Sequence, residues 1–104
     1  MNTEIESLFL AQYVPIVQKK QRLMGEDCLA IAFHIMDDLR AKGKSQEYLR
    51  DAASTMIYTF NGMLNPKMEE SDMDDMIDGL VRGGMLMRGV ASTTYDQLKQ
   101  EGYI

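Results

Sequence analysis

The sequence predicts an all-α protein, a small bundle of four to five helices with short connections. Three observations predict it. Apolar residues keep helical phase between punctuation at Gly25, Gly43, Gly62, Pro66, Gly83, Gly84, Gly89 and Gly102. Helix-capping residue types stand at the ends of those stretches. The chain has 104 residues, 45% hydrophobic and 26% charged, which suffices for one core without staples. Residues 1–104 read as a single helical domain, with 85–104 as a semi-independent C-terminal arm.

The first helix is predicted over 3–24. Thr3 followed by Glu6 reads as a capping box. Ile5, Phe9, Tyr13, Ile16 and Leu23 keep one phase, and Leu8 and Val17 widen the stripe. Pro15 removes a hydrogen bond and crowds the turn before it, so a kink or break is expected near residues 12–14. Because the apolar phase survives the proline, a kink is favoured. The second helix is predicted over 26–42. Glu26 and Asp27 complement its positive end, Arg40 and Lys42 its negative end, and Gly43 is a natural left-handed cap. Cys28, Ala32, Ile35 and Leu39 form its buried stripe, flanked by Leu29, Ile31 and Met36.

Ser45 caps a third helix over 45–61, with Leu49, Ala52, Met56 and Phe60 on one face and Tyr48, Ala53, Ile57 and Met63 beside it. Asn65–Pro66 then forces a turn. A fourth helix is predicted over 69–82, capped by Ser71 with Asp74 or starting earlier at Lys67. Met73, Met76, Ile77, Leu80 and Val81 are its apolar face. Gly79 inside it costs about 1 kcal/mol relative to alanine, so this helix leans on tertiary contacts. Residues 85–90 read equally as a short extended piece, a helix or a linker. A last short helix over 93–101 starts at Thr93, with Asp96 three residues on. Gly102 fits its left-handed C-cap, which places Tyr103 against Leu98.

Several chemistries find no residues to carry them. The chain holds one cysteine, Cys28, so no internal disulfide forms, and one histidine, His34. A zinc site within one chain needs three or four such ligands. Cys28 reads as a small core residue. His34 lies off the buried stripe at a boundary position, with Asp37 and Asp38 near enough for a pH-sensitive contact. No phosphate loop follows Gly83–Gly84, and no serine stands in a nucleophile elbow. An enzyme is therefore not expected, nor a cofactor. The N-terminus lacks a basic stretch leading into an apolar run, and no 18-residue apolar stretch occurs. A cytoplasmic protein is expected by elimination.

The net charge is −5, and one stretch carries it. Residues 68–79 hold six acids and no base: Glu69, Glu70, Asp72, Asp74, Asp75 and Asp78. As a calcium loop starting at Asp72 the stretch fails, having Met76 and Ile77 at the fifth and sixth positions and Gly83 at the twelfth. It reads either as a solvated, dipole-complementing face or as a docking surface for a basic partner. Ten methionines are the one compositional oddity. They serve as flexible core filler or line surfaces that adapt to partners. Copper binding by them is disfavoured without a periplasmic signal. Met68, Met73 and Met76 accompany the acidic run, and a methionine-lined groove rimmed by carboxylates suits a basic amphipathic helix.

One segment carries a resemblance. Val90-Ala-Ser-Thr-Thr-Tyr-Asp-Gln-Leu-Lys-Gln-Glu-Gly-Tyr-Ile104 resembles the recognition helix of winged-helix regulators, with its Ser/Thr-rich start and Leu…Glu-Gly-Tyr-Ile ending. The resemblance covers about 15 residues and implies DNA contact through 92–101. Against it, Lys99 is the one base of that helix, and Asp96 and Glu101 would face phosphates.

The reading favoured by the residues is an acidic protein-interaction module: an adaptor, inhibitor or regulator. Glu69, Glu70, Asp72, Asp74, Asp75 and Asp78 would steer, and Met68, Met73 and Met76 would anchor. A sharper version has the acidic face compete with nucleic acid for the basic cleft of a nucleic-acid-handling enzyme, as small phage-type inhibitors do. The alternatives are a DNA-binding regulator and a structural homo-oligomer, a homodimer being the simplest.

Overall fold

The computed structural model describes residues 2–104 and contains five helices: α1 (Thr3–Lys20), α2 (Gly25–Ala41), α3 (Gln46–Gly62), α4 (Glu70–Arg82) and α5 (Met85–Gln100). No strand occurs among the described residues. The radius of gyration is 12.8 Å, the value expected for a close-packed chain of this length. No helix among the described residues is long and apolar enough to cross a membrane.

α2 is the axis of the fold and packs against each of the other four helices. Its sequence explains that position. Cys28, Ala30, Ile31, Ala32, Phe33, Ile35, Met36 and Leu39 are all buried, so small and large apolar residues cover almost its whole circumference. The helix stops as its sequence predicts. Gly43 adopts φ +75°, its N–H bonds to the Arg40 carbonyl at 3.0 Å, and the Lys44 N–H bonds to Leu39 at 3.2 Å.

α1 and α3 close two sides of α2 with aromatic packing. Phe9 stacks on Tyr13 at 5.2 Å between ring centroids, and Tyr13 meets Phe60 of α3 edge-on at 5.9 Å. Two expectations for α1 need correction. The N-cap is Asn2, whose side chain accepts from the Ile5 N–H at 3.2 Å; Thr3 is already helical. The helix, which passes through Pro15 without a break, ends at Lys20 rather than at residue 24, because Gln21 takes a left-handed conformation with φ 59° and its N–H bonds to the Val17 carbonyl at 2.7 Å. Leu23 therefore leaves the stripe, and Leu8 faces outward, 40% exposed. α3 begins as expected: Ser45 Oγ accepts from the Tyr48 N–H at 3.1 Å.

α4 and α5 are joined at Gly83–Gly84 but pack on different helices, α4 mainly on α3 and α5 on α2. α4 begins after Glu69 rather than through a Ser71 cap, and Ser71 lies inside the helix. Gly83, at φ +69°, ends it. The structure supplies the contact that Gly79 needs: a Cβ there would collide with the thioether of Met87, so the glycine lets α5 approach α4 closely. The segment 85–90, open by sequence, is the first half of α5, and Thr93 lies mid-helix instead of starting it. Tertiary contacts fix that half, with Met87 seated at Gly79 and Arg88 Nη1 held by both Asp37 carboxylate oxygens at 2.9 and 2.8 Å. The end of α5 follows expectation. Gly102 has φ +80°, the Tyr103 N–H bonds to the Leu98 carbonyl at 2.9 Å, and Tyr103 packs on the core.

Candidate protein-binding groove

The acidic run occupies the start and outer flank of α4. Glu69, Glu70, Asp72, Asp74 and Asp75 are exposed. Asp78 is half-buried and already engaged, its Oδ1 3.1 Å from Arg50 Nη2 of α3. The three methionines separate. Met73 turns inward at 7% exposure, beside Ile77 and Leu80, so it belongs to the core rather than to a docking surface. Met68 and Met76 are half-buried and line one open groove of about 560 Å³, together with Leu23, Met24, Leu29 and Phe60.

Sequence reasoning missed the opposite wall of this groove. That wall exists because α1 ends early and the chain crosses from Gln21 to Met24 before α2 begins. The crossing is pinned at both ends. Tyr13 Oη donates to the Met24 carbonyl at 3.0 Å and accepts from the Met24 N–H at 3.2 Å. Burial pushes the Tyr13 hydroxyl well above the usual phenol range, so it remains a donor. Next to it Lys20 Nζ sits 3.1 Å from Asp27 Oδ2, and Asp27 is buried in the first turn of α2. Signals for this wall were present in the Met24-Gly25-Glu26-Asp27 run, a turn glycine followed by first-turn acids.

The α4 side is fixed as firmly. Asn61 Oδ1 accepts from the Met68 N–H at 2.8 Å, and Lys67 Nζ donates to the Gly62 carbonyl at 2.7 Å. The Asn65–Pro66 peptide within this loop is cis. Asp72 precedes Met76 by one helical turn and Glu69 precedes it by two, so carboxylates run along the same side of α4 as the groove methionine. Glu26 adds a carboxylate at the other edge, with Arg22 as the one base in the lining.

Several other polar groups are engaged within the fold. His34 is exposed and stacks on Tyr95 at 4.6 Å between centroids, inclined 19°, over a cleft of about 210 Å³ between α2 and α5. Asp37, at the end of that cleft, is shared between Arg40 at 3.0 Å and Arg88 at 2.8 Å. Arg40 also donates through Nη2 to the Leu80 and Val81 carbonyls, the latter at 2.8 Å, and so closes the open end of α4. Burial, with the Asp27 charge beside it, pushes the Cys28 thiol far above its usual range, which suppresses the reactive thiolate. No cluster of three or more His, Cys, Asp or Glu is arranged to hold a metal among the described residues. The helix that resembles a DNA reader turns Ala91, Tyr95 and Leu98 toward the protein. Its exposed positions from Thr93 onward include Asp96 and the single base Lys99.

No protein-family model, curated protein or solved structure matches this chain.

Proposed function

We propose that this protein is an interaction module that captures a basic amphipathic helix of another protein, acting as an adaptor, inhibitor or regulator. The observation that carries this reading is the juxtaposition in the groove. Met68 and Met76 line it together with Leu23, Leu29 and Phe60, and the carboxylates of Glu69 and Asp72 stand on the same side of α4 as Met76. Thioethers adapt their shape to a helical ridge better than branched side chains do.

Magnitudes divide the labour. An exposed ion pair contributes about 0.2–1 kcal/mol and weakens with salt, whereas burying one large apolar side chain contributes about 1.5–3 kcal/mol. The groove residues then carry the affinity, and Glu69, Glu70, Asp72, Asp74 and Asp75 chiefly raise the rate of encounter. Asp78, tied to Arg50, contributes less.

The test is a fluorescence-anisotropy titration with a labelled leucine/lysine amphipathic helix of about 18 residues, long enough for roughly five turns. Binding is expected to weaken about tenfold for Met76→Asp, which places a charge in the apolar wall. The triple reversal of Asp72, Asp74 and Asp75 to lysine should weaken capture strongly at low salt and little at about 0.5 M salt. Affinity unchanged by Met76→Asp would reject the groove, and affinity unchanged by the triple reversal would reject the steering face.

A further inference from the structure

We propose that Met24, Met68 and Met76 form an oxidative modification site: a peroxide converts their thioethers to sulfoxides in the folded chain, and the oxidised groove releases its helix, a switch that rests on the groove capturing a helix as proposed above. The methionines divide by access. Met36 and Met56 are fully buried in the core, and Met73 is 7% exposed. Met24, Met68 and Met76 are half-buried, and all three open into the one groove. Met85 is 89% exposed but lies on α5, which lines no part of the groove, so its oxidation and theirs can be told apart.

The other sulfur of the chain does not compete. Cys28 is sealed at 0% exposure, and burial suppresses the thiolate that would attack a peroxide. A thioether needs no deprotonation. One of its sulfur lone pairs attacks a peroxide oxygen, an S–O bond forms, and the O–O bond breaks. The attacked oxygen gives up its proton to the departing one, which leaves as water. Sulfur loses two electrons and the peroxide gains them, so hydrogen peroxide is the only co-reactant.

The geometry makes this modification act on binding rather than on folding. In the empty groove a new sulfoxide oxygen reaches water through the open side, so the fold keeps its hydrogen bonds and its sealed core. Filling the groove with an apolar helix ridge removes that water. The side chains of Leu23, Leu29 and Phe60 hold no hydrogen-bond donor to replace it. A polar oxygen is then buried without a partner, a cost paid only in the complex. The same flexible thioethers that adapt to a ridge are thus the groups through which an oxidant withdraws it.

The test treats the folded chain with excess hydrogen peroxide, removes the peroxide, maps sulfoxides by peptide mass spectrometry and titrates the labelled leucine/lysine helix by fluorescence anisotropy. Met24, Met68 and Met76 are expected to oxidise at least about fivefold faster than Met36, Met56 and Met73. Affinity for the helix should fall about tenfold while the helical circular-dichroism signal holds, and methionine sulfoxide reductases for both sulfoxide epimers, with a dithiol, should restore it. The triple variant Met24→Leu, Met68→Leu, Met76→Leu should lose less than about twofold on treatment, judged against its own untreated affinity. Met85→Leu should lose as much as the native chain. Groove and core methionines oxidising at one rate, full affinity in the oxidised native chain, or an equal loss in the triple variant overturns the switch and leaves the groove reading standing. A native chain that never binds the helix, treated or untreated, rejects the groove reading, and the switch falls with it.

Discussion

α2 and α5 are nearly the same length, 17 and 16 residues, and lie against each other, yet they do opposite things. α2 buries nine residues, including Asp27, and presents little to solvent besides His34, Asp37 and Asp38 along its middle. α5 buries only Ala91 and Leu98 and is held largely by polar or shape-specific links: Arg88 to Asp37, Tyr95 on His34, and Met87 at Gly79. The contrast locates stability in the α1–α2–α3 layer. It leaves α4, docked on α3, and α5, docked on α2, with exposed outer surfaces.

The largest expected effect breaks the sealed side. Ile31→Ala should lower the unfolding free energy in urea by about 3–4 kcal/mol, from lost burial plus the cavity. Leu86→Ala on α5 should change it by less than about 0.5 kcal/mol. Equal effects would erase the distinction. Next comes the anchor beneath the groove wall. Asp27→Ala leaves Lys20 without its partner, and since Lys20 is 17% exposed and can reach water, the cost should be about 2–3 kcal/mol. Arg40→Ala removes the two bonds that close α4 together with the link to Asp37, and should cost about 1–2 kcal/mol. Amide exchange should accelerate in α4 and α5 before it does in α2.

A pH effect sharpens the same contrast. Cys28 and Tyr13, both in the sealed layer, have pKa values raised by folding, so the unfolded chain loses these protons first. Their contribution is fully present below the ordinary thiol value of about 8.5 and declines as pH rises above it, more steeply beyond the phenol value of about 10. Chemical denaturation as a function of pH should show this decline, and Cys28→Ala should delay its onset toward pH of about 10. The smallest effect belongs to the acidic flank. Asp74→Lys should leave stability within about 0.5 kcal/mol, as befits a residue that serves an encounter rather than the fold.

Helix phase was the legible part of the sequence. The stripes of α2 and α3, and the caps at Gly43, Ser45 and Gly102, follow from local rules, because spacing and capping act over a few residues. What stayed hidden depends on distant contacts. Residues 85–90 are helical because Gly79 admits Met87 and because Asp37 holds Arg88, pairings that no local window contains. α1 ends at Lys20 because Gln21 adopts a left-handed conformation that its residue type does not advertise. The groove was half legible. Met68 and Met76 accompany the acidic run in sequence, whereas Leu23, Met24 and Leu29 join them only through the turn that Tyr13 pins. Met73 shares their composition but is buried beside Ile77 and Leu80, whereas Met76 lies at the edge of the α4 stripe and Met68 precedes the helix.

The methionines themselves offer the most direct test. In methyl-labelled protein titrated with the leucine/lysine helix, the signals of Met24, Met68 and Met76 should shift together and saturably. Those of Met56, sealed in α3, and Met85, on the outer face of α5, should stay in place. Shifts confined to Met85, or saturation of the peptide with the three groove methionines unmoved, would contradict the account.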